Sequence, residues 1–269
     1  MAAGRRDRFR VSLANQYDQA NVETMELLYG PGYLSMGGDD EVARILKPVE
    51  VSSKAVLDVG CGMGGAAITL ARDHAAQPVI GIDLDAGLLA RAAELIDQAG
   101  LQDQIELRRV EPGPLPFADA QFDLVYLTAV SCHIEDLVPF LVEIRRVIRP
   151  GGNLVGGEWF IQQENDAYHR WDTMLRQRGL NFYFVTQADF IDALEQAGFT
   201  AVEFHDQSMR TAGLAAGYLE RSKAELCESL LQRMGDEGFA AHLEWTQIRA
   251  DGLAQGGSGY GHFLATNPV

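Results

Sequence analysis

VLDVGCGMGG, residues 56–65, carries an apolar run into a glycine-rich turn that opens a helix. Val56, Leu57 and Val59 have the β-branched and apolar character of a buried strand. Glycines at 60, 62 and 64 permit positive φ and let a ligand approach the backbone where a Cβ would otherwise stand. The spacing is G-x-G-x-G-G, close to the G-x-G-x-x-G dinucleotide fingerprint, so an NAD-dependent dehydrogenase is one reading of the turn alone. Asp58 stands two residues before the first glycine. A carboxylate there repels a pyrophosphate and pairs well with an ammonium group, which favours a cationic ligand.

Working outward, strand patterns alternate with helical ones. Residues 78–83 and 104–110 read as the next two strands, with a helix at 86–99 closed by Gly100 between them. Residues 122–130 form a fourth strand and 137–148 a helix stopped by Arg-Pro-Gly-Gly at 149–152. Residues 153–160 form a fifth strand. This alternation predicts right-handed crossovers and a parallel sheet with helices on both faces. Beyond it come a polar, aromatic-rich stretch at 162–185, a helix at 187–197, a strand at 201–205, a helical stretch at 211–250 and a last strand at 261–266. The first 46 residues read as mostly helical, broken at Gly30-Pro31-Gly32 and Gly37-Gly38. Expected is an N-terminal helical lid over 1–46 and an α/β domain over 47–269. Cap insertions at about 161–186 and 211–255 gather with the lid over the carboxyl end of the sheet, where open α/β sheets bind ligands.

Two further acids fall at strand ends. Asp83 ends the second strand about twenty residues after the glycines, where a carboxylate accepts from ribose hydroxyls. Glu111 follows the third, placed to accept from an adenine amino group. Together with Asp58 they form a line of acids along one sheet edge.

Composition narrows the partners. The 269 residues carry 22 Lys and Arg against 38 Asp and Glu, for a net charge of −16, and Arg5, Arg6, Arg8 and Arg10 crowd the first ten residues. So acidic a body has no broad basic face for nucleic acid. Cys61, Cys132 and Cys227 are too scattered for a disulfide framework or a zinc site, and the histidines show no metal-ligand spacing. No apolar run is long enough to span a bilayer, and no h-region follows the arginines. The expectation is a cytoplasmic protein that binds neither membrane nor metal.

The ordered motifs VLDVGCGMGG, GIDLD, EPGPLPFADAQFDLVY and EIRRVIRPGGNLV resemble those of class I S-adenosylmethionine-dependent methyltransferases. The resemblance covers residues 55–160. It implies a Rossmann-like, seven-stranded methyltransferase sheet whose last strand is antiparallel, with S-adenosyl-L-methionine as cofactor. Gly60, Cys61, Gly62 and Gly64 would pass beneath the cofactor, Asp58 would lie near its amino acid end, and Asp83 with Leu84 would hold the ribose. Glu111 would meet the adenine, and Thr128 would line the same site. Asn15-Gln-Tyr17, Gly32-Tyr-Leu-Ser-Met-Gly-Gly38 and the Cys132-His133 pair are similar to phosphoethanolamine N-methyltransferases. The ending GHFLAT is similar to these and to sarcosine and dimethylglycine methyltransferases. That narrower likeness makes Tyr17 and His133 the residues that close the site and shuttle a proton, adds Leu34 and Ser35 to the cofactor contacts, and matches Arg178 to a substrate-holding arginine.

Three positions depart from the pattern. Ala129 stands where the relatives' catalytic aspartate would be, Leu180 replaces a tyrosine, and residues 249–261 contain no lysine. Trp159 and Tyr183 fall in an aromatic-rich stretch suited either to an ammonium-binding cage or to ordinary core, and both are candidate substrate contacts with Arg178. The reading is methyl transfer to a small-molecule acceptor, an amine nitrogen first, by in-line displacement. O- or C-methylation of a natural product on the same fold, and a catalytically silent cofactor-binding subunit, are the alternatives.

Overall fold

The structure, a computed structural model, describes residues 19–180 and 182–269. Tyr17 lies outside them. The chain begins with α1 (Gln19–Tyr29) and α2 (Gly38–Leu46), then winds through β1 (Val56–Val59), α3 (Gly65–His74), β2 (Val79–Asp83), α4 (Ala86–Gln98) and β3 (Ile105–Arg109). It continues through β4 (Phe122–Thr128), α5 (Leu137–Val147) and β5 (Ile148–Ile161) to α6 (Asp166–Gln177) and α7 (Gln187–Gln196). Last come β6 (Thr200–Asp206), α8 (Ser208–Lys223), α9 (Cys227–Ala254) and β7 (Ser258–Thr266).

The seven strands form one sheet in the order β3-β2-β1-β4-β5-β7-β6. β1 to β5 run parallel, and β7 lies antiparallel between β5 and β6. This is the mixed seven-stranded α/β sheet that the motifs imply. β1 and β4 are neighbours although two strands separate them in the chain, so the winding reverses beside β1. That reversal leaves a crevice above the strand ends.

Side-chain alternation along the central strands feeds two cores. Leu57, Ile80, Val125 and Leu127 pack with Phe140, Leu141 and Ile144 of α5 on one face, and Val56, Val79, Leu124 and Tyr126 pack with α3 and α4 on the other. α2 belongs to that second layer, through buried Val42, Ile45 and Leu46. Of the described residues before 47, α2 covers the sheet, while Asn21, Thr24, Met25, Leu28 and Tyr29 of α1 line the crevice. A buried polar cluster fixes α2 as well. Glu41, 5% exposed, accepts a hydrogen bond at Oε1 from Nε2 of His262 on β7 at 2.6 Å, and pairs through Oε2 with Arg210 of α8.

Several boundaries differ from the sequence expectation for physical reasons. The Arg-Pro-Gly-Gly of 149–152 ends α5 but is a bulge within β5: Ile148 pairs with Phe122, and pairing resumes at Asn153 opposite Leu124. The aromatic-rich stretch holds a helix, α6. Asn165 caps it by accepting from the amides of Ala167 and Tyr168, and Ala167, Trp171, Met174 and Leu175 recur on its buried face. The helical stretch at 211–250 is two helices. The chain leaves α8 at Ala224 so that Leu226 can join Leu28 and Leu230 in a small core, and α9 is itself kinked at Gly235 (φ 68°).

One local element gives a clean test of the fold's increments. Thr186 caps α7 in a full capping box with Asp189, and neither residue lines the crevice. Thr186→Ala should cost about 1 kcal/mol in urea unfolding. Loss of less than about 0.3 kcal/mol would remove the box from the set of stabilising contacts.

Candidate functional site

The glycine turn after β1 is built as its sequence requires. Gly60 and Gly62 have φ of 68° and 52°. A Cβ on Gly60 would lie 2.4 Å from Val130, and one on Gly62 would lie 2.9 Å from Leu34. The turn's amides are already committed. Gly60 and Cys61 both donate to the carbonyl of Ile82, at 2.9 and 3.0 Å, and Gly62 donates to Asp83 Oδ2 at 2.9 Å. Gly64 donates to Cys61 at 2.8 Å, and Gly65 to Gly32 at 3.1 Å. A dinucleotide turn offers such amides to a pyrophosphate. Here the amides of Gly60, Cys61, Gly62, Gly64 and Gly65 are spent inside the protein, which weighs against the dehydrogenase reading.

Above the turn lies a cavity of about 940 Å³. Asp58, Gly60, Cys61, Gly62, Asp83, Leu84, Glu111, Leu34, Ser35 and Thr128 all line it. Gly64 does not. It is the N-cap of α3, and its missing Cβ would sit 3.2 Å from Ala92, so its smallness serves the packing of α3 on α4. Asp58 is 2% exposed and its Oδ2 accepts no hydrogen bond among the described residues. Burial, reinforced by the neighbouring charge of Asp83, pushes its pKa up to about 7. An unpartnered buried carboxylate oxygen at a cavity wall calls for a cationic or hydrogen-donating ligand. Asp83 accepts the amides of Gly62 and Asp85, at 2.9 Å each, which fixes its orientation and leaves further lone pairs for hydroxyl donors. Burial raises its pKa as well. Glu111 lies two residues beyond β3, is exposed, and stands 3.8 Å from Arg109, at the rim rather than the wall. Burial drives the Cys61 thiol far above its ordinary value, so it is a packing group over Gly81. A cationic ligand with vicinal hydroxyls fits this half of the cavity.

The other half is walled by aromatic rings and two cations. Trp159, Arg178 and His133 line it. Tyr183 does not: its amide donates to the Cys132 carbonyl at 2.7 Å, and its neighbours Phe182 and Phe184 face the cavity instead. His133 sits in a short 3-10 turn, Ser131–His133, its ring 4.7 Å from that of Phe182. Burial pulls its pKa down to about 4, so the imidazole is neutral at physiological pH. Ala129 provides no carboxylate, and the turn is held from behind. Buried Glu158 accepts the amides of Ser131 at 2.8 Å and Trp159 at 2.9 Å.

Sequence reasoning missed Arg249, Trp171 and His242, which also line the cavity. Arg249 is 8% exposed. Its Nη1 donates to the Tyr29 hydroxyl at 2.6 Å, while Nε and Nη2 have no partner among the described residues. Trp171 is 3% exposed with an unpartnered Nε1. Arg178 lies over the Trp245 ring at 4.8 Å, and burial draws its pKa below the usual range. Burial and then the charges of Arg249 and Arg178 pull His242 down to about 4. The signal was the register of α9: Arg249 stands four residues after Trp245 on one helix face. Its burial depends on α1, which local sequence does not encode. The carboxylates lining the cavity, Asp58, Asp83, Asp85 and Glu111, all lie at or just beyond the ends of β1, β2 and β3, away from this pair of guanidinium groups. Among the described residues, no group of His, Cys, Asp and Glu could hold a metal ion, and no helix is long and apolar enough to cross a membrane.

Residues 57–156 match the family model described as a methyltransferase domain. The chain is 25% identical over 258 residues to phosphoethanolamine N-methyltransferase 1 of Triticum aestivum, covering 93% of this chain and 49% of that protein. It thus spans about half the length of the curated relative. Phosphoethanolamine N-methyltransferase 2 of Haemonchus contortus, solved with phosphomonomethylethanolamine and S-adenosylhomocysteine, superposes with a TM-score of 0.87 at 21% identity, over 97% of this chain and 60% of that one. A structure described as a sarcosine dimethylglycine methyltransferase from Galdieria sulphuraria superposes with a TM-score of 0.79 at 16% identity, over 94% and 98%. These likenesses establish the fold.

Proposed function

We propose that this chain, which carries a methyltransferase domain within the class I S-adenosylmethionine-dependent fold, transfers a methyl group to a small acceptor bearing an anionic end and an amine nitrogen. S-adenosyl-L-methionine supplies an electrophilic methyl on a sulfonium, which leaves as a neutral thioether. The work left to the protein is alignment and charge placement. Asp58 receives the cofactor's ammonium, Asp83 its ribose hydroxyls, and the Gly60–Gly62 backbone gives it room. Arg249, with Arg178 beside it, holds the acceptor's anion, and His133 accepts a hydrogen bond from the acceptor nitrogen. A neutral His133 adds no positive charge beside a sulfonium and an amine, which a protonated ring would repel. The observation that carries this reading is that one cavity is lined both by a carboxylate with an unpartnered oxygen, Asp58, and by a guanidinium with an unpartnered edge, Arg249. The wheat and nematode relatives named for N-methylation support nitrogen as the accepting atom.

S-adenosylhomocysteine release against amino acids, phosphoethanolamine, phenols and amine-free carboxylic acids tests it. Turnover is expected with acid-bearing amines. Turnover confined to phenols or to amine-free acids would make this an O- or C-methyltransferase, and cofactor binding without any turnover would make it a silent subunit. His133→Ala should lower kcat about 100-fold with cofactor affinity unchanged. Because the imidazole titrates near 4, the wild-type rate should show no imidazole inflection between pH 6 and 8. An inflection that vanishes in the alanine variant would show His133 titrating in turnover and overturn its role as a permanently neutral acceptor.

A further inference from the structure

The acceptor half of the cavity has a far larger aromatic wall than an acceptor as small as ethanolamine or glycine would cover. Trp159, Trp171, Phe184, Phe182 and His133 form a continuous chain of ring contacts. Successive centroids are 5.8, 4.5, 5.3 and 4.7 Å apart, and every member lines the cavity. Leu175 and Leu180 extend the wall. Such a surface contributes to binding by burying matching apolar area, and a two-carbon amine presents almost none. A flat ring presents a great deal and finds edge and face partners here.

The donors on the same wall complete the pattern. With Nη1 taken by Tyr29, the Nε–Nη2 edge of Arg249, two parallel N–H groups in one plane, is left unpartnered and matches the two oxygens of a carboxylate. The unpartnered indole N–H of Trp171 adds a third buried donor. A cationic occupant without an acid group is disfavoured, because the charged side chains lining this half are both guanidinium groups, Arg178 and Arg249.

We infer that the acceptor is a ring-bearing carboxylate: a planar aromatic body seated against the Trp171–Phe184 stack, with its carboxylate on the Arg249 edge. The inference rests on the methyl-transfer reading above and adds the substrate class to it.

All three tryptophans of the chain, Trp159, Trp171 and Trp245, line this cavity, so their emission reports its occupancy without turnover. The test titrates the S-adenosylhomocysteine-loaded protein with phenylalanine and phenylacetate against glycine and acetate, following tryptophan emission. Phosphoethanolamine is the ringless phosphate control. The ring-bearing acids are expected to bind at least about tenfold more tightly than their ringless partners. Arg249→Met should abolish that binding while leaving S-adenosylhomocysteine affinity intact. Trp171→Phe keeps an aromatic ring at this position and removes the N–H, and should weaken binding severalfold, with circular dichroism and melting showing that the variant is folded. Equal affinity for ringed and ringless acids, preference for phosphoethanolamine, or indifference to both substitutions would overturn the inference. Calorimetry of S-adenosylhomocysteine alone separates the two claims. Absence of cofactor binding sinks methyl transfer itself, whereas normal cofactor binding without ring preference sinks only the substrate class.

Discussion

Asp58→Asn should lower affinity for S-adenosyl-L-methionine by about 100-fold or more, because on the reading proposed above it removes the charge that meets the cofactor's ammonium in a buried setting. It should do so while stabilising the empty protein. Burial, with Asp83 adding to it, lifts the Asp58 pKa from 3.8 to about 7, so the fold holds this proton more tightly than the unfolded chain does. A carboxyl with a raised folded pKa contributes stability below the unfolded value and loses it as pH rises through the folded one. The ligand-free Asn variant should therefore melt above the wild type at pH 8, with the gap closing toward pH 4. In the wild type, a cation bound against Asp58 must displace that proton below about pH 7. Cofactor affinity should fall as pH drops under that value, by up to about tenfold per unit, and the Asn variant should lose this slope. Thermal melts from pH 4 to 8 read the stability, and calorimetric titration across pH 5.5–8.5 reads the affinity. A wild-type affinity flat across that range would show that Asp58 is already ionised in the empty site, and would remove the proton linkage.

Glu41→Gln should destabilise the fold by about 3–5 kcal/mol, the largest stability loss expected from a conservative substitution here. The amide can still accept one hydrogen bond, but it leaves partly buried Arg210 without its counter-charge and gives His262 a weaker acceptor. Burial alone would raise the Glu41 pKa. The hydrogen bond and charge of His262, then those of Arg210, outweigh it and hold the carboxyl below its usual 4.5. A depressed carboxyl contributes stability that is full above the unfolded pKa and lost as pH falls through the folded one. The gap between wild type and variant in urea midpoints should be constant from pH 6 to 8 and narrow below about pH 4.5. A gap under about 1 kcal/mol at pH 7 would show that the cluster is no more than a surface-grade ion pair.

These two residues illustrate what the sequence does and does not make legible. Asp58 is local information: an acid at fixed distance from a glycine turn, whose geometry follows from strand, turn and helix start. The parallel strands are equally legible, because each is a short apolar run bounded by its own turn signals. Glu41 and Arg249 carry no such mark. Each becomes a buried charge because elements far apart in the chain meet: α2 with β7 and α8, α9 with α1. The α8–α9 break at Ala224–Leu226 is hidden for the same reason, since no proline or glycine announces it and a small core around Leu28, Leu226 and Leu230 dictates it. Tyr183 shows the opposite error. Composition marked the aromatic stretch, but which ring faces the cavity follows from strand-like alternation between Phe182 and Phe184.

The hydrogen bond from Gly65 to Gly32 has a consequence for how the crevice can open. A Cβ on Gly32 would stand 2.9 Å from Gly65, and one on Gly65 would stand 2.7 Å from the Gly32 carbonyl, so two backbones are welded at a point where neither can carry a side chain. Glu26 tightens the joint by accepting the Gly32 amide at 3.2 Å while pairing with Arg91 of α4. The chain from Gly32 onward is therefore a fixed wall of the crevice, moving only with the sheet. Glu26 belongs to α1, so the first helix is tied to the same wall, and Gly30, with φ 100° and open space where a Cβ would stand, is the loosest point between them.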